Sequence, residues 1–273
     1  LKIELRRKYL VLFDVLNGCG DAAVAFSGGV DSAVVLAAAA DALENDNVIA
    51  ITACGDFFPK RETAEARKIA KALKVKHVVF DAKPLSNPAL KNNPPNRCYH
   101  CKKATFKKII ELADANGIAN VMDGANLDDE GDYRPGAAAA DELEIIHPLV
   151  EAGIGKNVVR ELAREYALPN AGKPASACLA TRFPFGAALD KKSLRRVEKS
   201  EQALIDMGFK IVRVRSYGDL ARIEVPIKDL KKIFSRRAEI SDKLIAAGFK
   251  RVTVDLAGFR SGSMNEEILK NGR

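Results

Sequence analysis

Between an apolar run, Ala22-Ala23-Val24-Ala25-Phe26, and a helix-compatible run, Ala33 to Leu43, the chain places Ser27-Gly28-Gly29-Val30-Asp31-Ser32. Two glycines at a strand-to-helix turn let the backbone come close to a ligand, because no Cβ blocks positive φ. The N–H groups of the helix start, with their partial positive charge, then face that ligand. An anion suits such a place, phosphate above all. Ser27 and Ser32 add hydroxyl donors. Asp31 beside a phosphate makes sense with Mg2+ present, since hard cations take carboxylate oxygens. The spacing matches neither G-x-x-x-x-G-K-S/T nor G-x-G-x-x-G. The plain alternative is a Ser/Gly turn that caps a core helix.

The surrounding pattern alternates strands and helices. Val48 to Ala53 reads as a second buried strand, Glu62 to Leu73 as a helix and Val75 to Phe80 as a third strand. Lys102 to Ala115 reads as a helix with Phe106, Ile109, Ile110 and Ala113 on one face. Asn120 to Asp123 gives a fourth strand, Leu143 to Leu149 a candidate fifth, and Lys156 to Tyr166 another helix. Strands separated by such helices imply an α/β domain, a parallel sheet with helices on both faces. Ligands of such sheets bind beyond the carboxyl ends of the strands, where Ser27 and Asp123 fall. Past Pro169, Gly172, Pro174, Pro184 and Gly186 a new pattern begins: helix 190–207, strands 210–216 and 220–226, helix 228–247, strand 249–256. It predicts a small C-terminal α+β domain, with domains over 1–183 and 184–273.

The 273 residues leave room for two cores. Hydrophobic residues at 47% and charged residues at 29% suit a soluble globular protein. No apolar run reaches the ~18–20 residues of a membrane span, no signal-peptide pattern is visible, and the opening Leu1 implies that at least an initiator Met precedes it. Five cysteines make no disulfide framework in a chain this long, so a reducing cytoplasm is expected. The net charge of +8 is uneven: residues 184–273 hold 20 Lys and Arg against 12 Asp and Glu, whereas residues 1–183 hold 24 of each. A basic C-terminal region attracts an anionic substrate or nucleic acid, or is a solvated surface.

Cys98-Tyr99-His100-Cys101 leads into the helix expected from Lys102. Thiols at i and i+3 can reach one metal, and a helix N-terminus favours thiolate. Two cysteines do not close a Zn2+ site. Cys178, in Lys173-Pro174-Ala175-Ser176-Ala177-Cys178-Leu179-Ala180-Thr181-Arg182, is the best third ligand. Three thiolates would leave one iron of a [4Fe–4S] cluster without a protein ligand; a zinc site with His100 and a reactive dithiol are the competing readings. Cys19 reads as a bystander. Cys54, after the second strand with Thr52, reads as lining the nucleotide site.

Asp123-Gly124-Ala125-Asn126-Leu127-Asp128-Asp129-Glu130 ends the fourth strand. Gly124 permits close backbone approach, and Asp128, Asp129 and Asp132 are candidate Mg2+ ligands; the alternative is an acidic solvated loop. Arg134 can grip phosphate or carboxylate. Lys156 and Arg160, one helical turn apart, can share an anion or face water. In the second domain Arg213 and Arg215 share a strand face, as do Arg222 and Glu224 on the next strand, with Glu201 on the preceding helix. Converging arginines suit a phosphate through bidentate bonds, or form a salt-bridge ladder with Glu224.

The six residues Ser27–Ser32 resemble the PP-loop of ATP pyrophosphatases, whose fold is the adenine nucleotide alpha hydrolase-like α/β sheet. These enzymes bind the β,γ-pyrophosphate of ATP and leave an adenylated intermediate. With Asp123-Gly124-Ala125-Asn126, Asp128-Asp129, Asp132 to Gly136, the stretch Lys173 to Arg182, Arg213-Val214-Arg215, Ala221 to Val225 and Gly258 to Ser263, nearly the whole chain is similar to the LarE sulfur transferases. That resemblance implies adenylation of a carboxylate of pyridinium-3,5-biscarboxylic acid mononucleotide and its conversion to a thiocarboxylate, for the nickel-pincer nucleotide cofactor. It implies ATP and Mg2+ at Ser27–Ser32, Thr52, Cys54, Gly124, Asn126 and Asp128. It implies substrate at Arg134, Thr181, Arg182, Glu201, Arg213 and Arg215, and catalytic roles for Cys178, Asp31 and Arg182. Single-cysteine members give up the sulfur of the residue matching Cys178. Cys98 and Cys101 instead make this chain similar to the subset in which three cysteines hold a [4Fe–4S] cluster whose free iron carries the transferable sulfide, so that resemblance implies sulfur delivery through the cluster rather than from Cys178 itself. Thr181 stands where the family usually has Ser. A homo-oligomer is the family expectation, with no membrane partner and no nucleic acid. The alternatives are a tRNA thiolation enzyme, which also pairs a PP-loop with three cysteines and a basic domain, and a nucleotide-sensing Fe–S module without catalysis.

Overall fold

The structure, a computed structural model, describes residues 3–129, 135–174, 176–260 and 262. They divide into two compact units, residues 1–83 with 96–176, and residues 84–95 with 177–273. The division falls at 176/177 rather than near 184, so Cys178 belongs to the C-terminal unit. Asn93 explains why 84–95 joins it. Its buried amide donates to the carbonyls of Phe183 at 3.0 Å and Pro184 at 2.8 Å, while Leu189 N–H donates to Lys91 O at 2.7 Å.

The first unit contains α1 (Ile3–Cys19), β1 (Ala22–Ala25), α2 (Val30–Ala42), β2 (Val48–Cys54), α3 (Lys60–Ala72), β3 (Lys76–Asp81), α4 (Arg97–Asp114), β4 (Val121–Met122), α5 (Pro135–Asp141), α6 (Pro148–Glu151) and α7 (Lys156–Glu165). All four strands run parallel in the order β3-β2-β1-β4. Strands β1, β2 and β4 are largely apolar on both faces, and alternate residues of β1 and β2 feed two cores. Ala22, Val24, Val48 and Ala50 pack with α1, α2 and α7. Ala23, Ile49 and Ile51 pack with Phe106, Ile109 and Ala113 of α4. The α2 helix is buried from Val30 and Ser32 through Ala39, so it needs no polar face. Its alanines let neighbouring helices approach; Ala38→Leu would overpack this core at a cost of about 1–3 kcal/mol. The expected fifth strand shrinks to one parallel bridge, Met122 with Ile146.

The second unit contains α8 (Lys191–Asp206), β5 (Arg213–Tyr217), β6 (Leu220–Glu224), α9 (Leu230–Ser235), α10 (Arg237–Ala246) and β7 (Arg251–Val254). Its sheet has the order β5-β6-β7, antiparallel then parallel. The β5–β6 turn uses Gly218 at φ +60°, a conformation that glycine adopts without strain. The single helix expected over 228–247 is two, broken at Arg236, whose guanidinium bonds Met207 O at 2.9 Å and Glu239. The helix expected from Lys102 begins at Arg97, so Cys98 and Cys101 lie within its first turns.

Candidate active site

Strand order reverses beside β1: β2 flanks one side and β4 the other. Ligands of open parallel sheets settle at such a reversal, past the carboxyl ends of the strands. Both candidate loops leave from there. Gly28 has φ +75°, and a Cβ on it would meet Glu62 O at 3.1 Å and Ala66 Cβ at 3.3 Å. Gly29 is the extended N-cap of α2. Ser27 Oγ and Ser32 Oγ lie 3.1 Å apart, and Gly29 N–H donates to Ser27 Oγ at 3.2 Å. The side-chain amide of Asn170 donates to Gly28 O at 3.0 Å and fixes the turn from behind. Lys173 braces α3 beside the turn by pairing with Glu62, at 2.6 Å, and Glu65.

The loop after β4 closes onto the same helix start. A Cβ on Gly124 would lie 2.5 Å from Ser32 N, so only glycine passes here. Asn126 donates to Asp31 Oδ1 at 3.3 Å and Asp129 Oδ2 at 3.1 Å. Asp128 accepts from Lys156 N–H at 2.6 Å, tying the loop to the first turn of α7. Lys156 Nζ bonds both oxygens of Asp31, at 2.6 and 2.5 Å. Expected nucleotide ligands Ser27–Ser32, Gly124, Asn126 and Asp128 are thus together. Asp31 and Asp128 are engaged by Lys156 and its backbone rather than by each other. Arg134 and Asp132 lie outside the described residues.

One expected member, Thr52, spends its hydroxyl inside the sheet. Thr52 is buried, and its hydroxyl donates to Phe26 O at 2.6 Å. His77 Nε2, 2.8 Å away, must then be the donor to Thr52 Oγ1. Thr52 therefore serves the β1–β2 junction. Cys54 ends β2 half-buried; burial, then the Asp81 charge, pushes its thiol up. Sequence reasoning missed Asp123, Lys102 and His147 as a group. Asp123 is buried, accepts from His147 Nδ1 at 2.7 Å and Ala125 N–H at 2.9 Å, and faces Lys102 at 3.4 Å. Burial pushes its carboxyl up, but the His147 bond and the Lys102 charge outweigh this and hold it below the usual range. The Asp123 bond in turn raises His147 against its own burial. The signal available was a lone acid at the end of a strand, too weak to pick a histidine 24 residues away.

In the C-terminal unit Cys178 is the half-buried N-cap of a short 3-10 turn, Leu179–Arg182. Arg182, expected to grip substrate and act in catalysis, is fully buried. It bonds Glu201 at 2.8 and 3.0 Å, Ala177 O at 2.9 Å, Cys178 O at 3.1 Å and Thr181 Oγ1 at 2.7 Å. Glu201 also accepts from Val214 N–H at 3.0 Å. Arg182 and Glu201 thus hold the Cys178 turn and leave no exposed guanidinium for a substrate. Arg215 likewise bonds Glu224 at 2.9–3.0 Å and Thr181 O at 2.5 Å. The salt-bridge ladder is what forms here, with Arg222 adding to Glu224 at 3.0 Å. Thr181 spends its hydroxyl on Cys178 O at 2.7 Å. Arg213 stays half-buried, with its guanidinium 5.4 Å from the Phe259 ring and donating to Val212 O at 2.9 Å, and its charge helps to keep Glu201 ionised.

The three expected cluster ligands fall in different units, Cys98 and Cys101 on α4 and Cys178 past the division. Among the described residues no group of three His, Cys, Asp or Glu side chains is arranged to hold a metal. His100 Nε2 is 3.1 Å from the Asn96 amide.

A parallel sheet reversing at β1/β4, with a Ser-Gly-Gly turn presenting a helix start and a glycine-led acidic loop closing on it, defines the PP-loop class of ATP-using α/β enzymes. Comparison with known proteins narrows this. The NAD synthase family model matches residues 9–121. The chain is 38% identical over 268 residues to the pyridinium-3,5-bisthiocarboxylic acid mononucleotide synthase of Lactiplantibacillus plantarum, covering 97% of this chain and 96% of that one. It is 38% identical over 251 residues to an uncharacterised protein of Synechocystis, covering 91% and 93%. The argininosuccinate synthase of Natronomonas pharaonis is 32% identical over 161 residues, 55% of this chain and 40% of that one. The chain belongs to the LarE-type family of ATP-dependent sulfur transferases.

Proposed function

We propose that this chain uses ATP to convert a carboxylate of pyridinium-3,5-biscarboxylic acid mononucleotide into a thiocarboxylate. The observation that carries this reading is the Ser27–Ser32 turn with Asp31 at the start of α2, closed by Gly124 and Asn126. The first N–H groups of α2 have no intrahelical acceptor and suit the β,γ-phosphates of ATP. Asp31 and Asp128 fit Mg2+ once Lys156 turns toward phosphate. A carboxylate oxygen attacks the α-phosphorus, pyrophosphate leaves, and an acyl-adenylate results. The protein contributes positioning and charge stabilisation, as usual for phosphorus chemistry.

Cys178 is the proposed sulfur-delivering position, held by the Arg182–Glu201 pair, with Arg213 for the substrate's phosphate or second carboxylate. Its thiolate displaces AMP from the acyl-adenylate to give a thioester. Loss of the Cys178 α-proton with cleavage of its Cβ–S bond then frees the thiocarboxylate and leaves dehydroalanine. A [4Fe–4S] cluster on Cys98, Cys101 and Cys178 is the competing sulfur source. The tRNA-thiolation reading is not favoured, because full-length similarity runs to a small-molecule synthase.

The test is incubation with ATP, Mg2+ and the dicarboxylate mononucleotide under anaerobic conditions. AMP, pyrophosphate and thiocarboxylate are expected; ADP and phosphate would reject the reading. Iron and sulfide analysis, with mass spectrometry of Cys178 after turnover, separates the sulfur sources. Loss of the elements of hydrogen sulfide from Cys178 indicates the sacrificial route. An intact Cys178 with iron lost in each of Cys98→Ala, Cys101→Ala and Cys178→Ala, but not in Cys19→Ala, indicates the cluster.

A further inference from the structure

The ion pairs of the C-terminal unit displace its positive surplus from the expected place. Arg182 and Arg215 are balanced by Glu201 and Glu224, and Arg222 by Glu224 and Asp255. Five further cations lie along one face of α8. Lys191, Lys192, Arg195, Arg196 and Lys199 recur at i, i+1, i+4, i+5 and i+8, a stripe about 12 Å long at the helical rise. With Lys250 they line a concavity of about 800 Å3.

Arg196 builds the wall of this groove. It reaches from α8 to Gly218 O at 2.5 Å and Ser216 Oγ at 3.2 Å in the β5–β6 hairpin, and to Gly248 O at 3.2 Å after α10. Its guanidinium stacks 4.2 Å over buried Phe249. Asp219 is the single carboxylate of the lining, and it already pairs with Lys250 at 2.7 Å and Arg196 at 3.8 Å. Asp190 spends its carboxylate capping α8. Lys191, Lys192, Arg195 and Lys199 are exposed and make no ion pair among the described residues.

Cations crowded this closely repel, and a compact polyanion relieves that repulsion better than separate monoanions. The volume is that of a small-ligand site. A single-stranded nucleic acid fits less well, because its bases call for stacking aromatics and Phe249 is covered by Arg196. We propose that this groove is a second anion site, in the other unit from the Ser27–Ser32 turn, and that it binds a chain of contiguous phosphates, either free or carried by a nucleotide.

Calorimetric titration of the full chain with sodium tripolyphosphate tests this. Two classes of site are expected, one at the nucleotide turn and one at the groove. In Lys191→Gln/Arg195→Gln/Lys199→Gln the groove class weakens about tenfold or more, three lost charge contacts acting together. In Lys228→Gln/Lys231→Gln/Lys243→Gln, which removes the same charge from exposed positions outside the groove, it changes less than about twofold. The KM for ATP stays the same in both. Should the groove triple fail to fold, Lys199→Gln alone carries the test at about threefold. Equal weakening by both triples, or none by the groove variant, overturns the proposal. A short RNA oligonucleotide that binds the groove more tightly than tripolyphosphate also overturns it. Repeating the titration with ATP separates the sources: groove-dependent binding of ATP as well means that the phosphate chain is read on a nucleotide, and of tripolyphosphate alone that it is read free.

Discussion

Lys156 Nζ bridges the two carboxylate oxygens of Asp31, at 2.6 and 2.5 Å. The pair joins the first turn of α7 to the first turn of α2, so two helix starts and their nearest charges share one place. Asp31 is the acid of the Ser27–Ser32 turn, and a cation already satisfies it without Mg2+. In the proposed reaction ATP and Mg2+ take over from this bond, Mg2+ at Asp31 and phosphate at Lys156.

Asp31→Asn should therefore cut AMP formation by about 100-fold or more, the scale of removing one charge-stabilising group at a reacting centre. Lys156→Met should raise the KM for ATP. Both side chains are partly exposed, so the melting temperature should shift by no more than an ion pair worth about 0–1 kcal/mol implies. A variant that melts early but turns over normally would assign the pair to stability instead.

The Asp123–His147 bond predicts a pH dependence. His147 is raised in the folded chain, so its contribution is full below its ordinary range and is lost as pH climbs through the raised value. Asp123 is lowered, so its contribution is present above the ordinary carboxylate range and fades as pH falls through the lowered value. The difference in melting temperature between the parent and His147→Gln should be largest near about pH 6 and shrink toward about pH 9. A difference that stays constant over that window would show that His147 contributes packing alone.

Arg182 and Glu201 form a fully buried pair. Burial pushes the Glu201 carboxyl up, and the Arg182 charge more than offsets this and keeps it ionised. Removing one partner strands the other, at a cost of about 3–5 kcal/mol. Arg182→Met should thus lower the melting temperature steeply. Arg182→Met with Glu201→Leu should recover part of the loss, because neither member of the buried pair is left without the other. Arg182→Lys should not restore the parent, since it lacks the planar fork. Equal melting temperatures for the single and double changes would contradict this account.

Arg213 and Arg215 should separate, although they alternate on one strand. Arg215→Ala breaks the buried Glu224 pair and should show mainly as lost stability. Arg213→Ala should lower kcat/KM by about tenfold in the folded fraction, the worth of a charge-assisted bond to a substrate anion. ATP binding should change little. Normal kinetics in Arg213→Ala would remove it from the substrate site.

Local patterning in the sequence was by itself enough for the parallel sheet, its covering helices and the Ser27–Ser32 turn. These rest on local rules: apolar runs of strand length, helical spacing such as Phe106, Ile109 and Ala113, and glycines at 28 and 124 where a Cβ has no room. It also carried the family, through six consecutive residues and the stretch around Cys178. Only the tertiary structure decided which charges are spent. Arg182, Arg215 and Thr52 look available in the sequence, yet Glu201, Glu224, Phe26 O and His77 consume them. It likewise placed Cys178 in the C-terminal unit and grouped five cations of α8 with Lys250 around one concavity. The reason is physical: periodicity reports which face of an element is buried, whereas the partner of a buried charge comes from another element, fixed only when the chain packs.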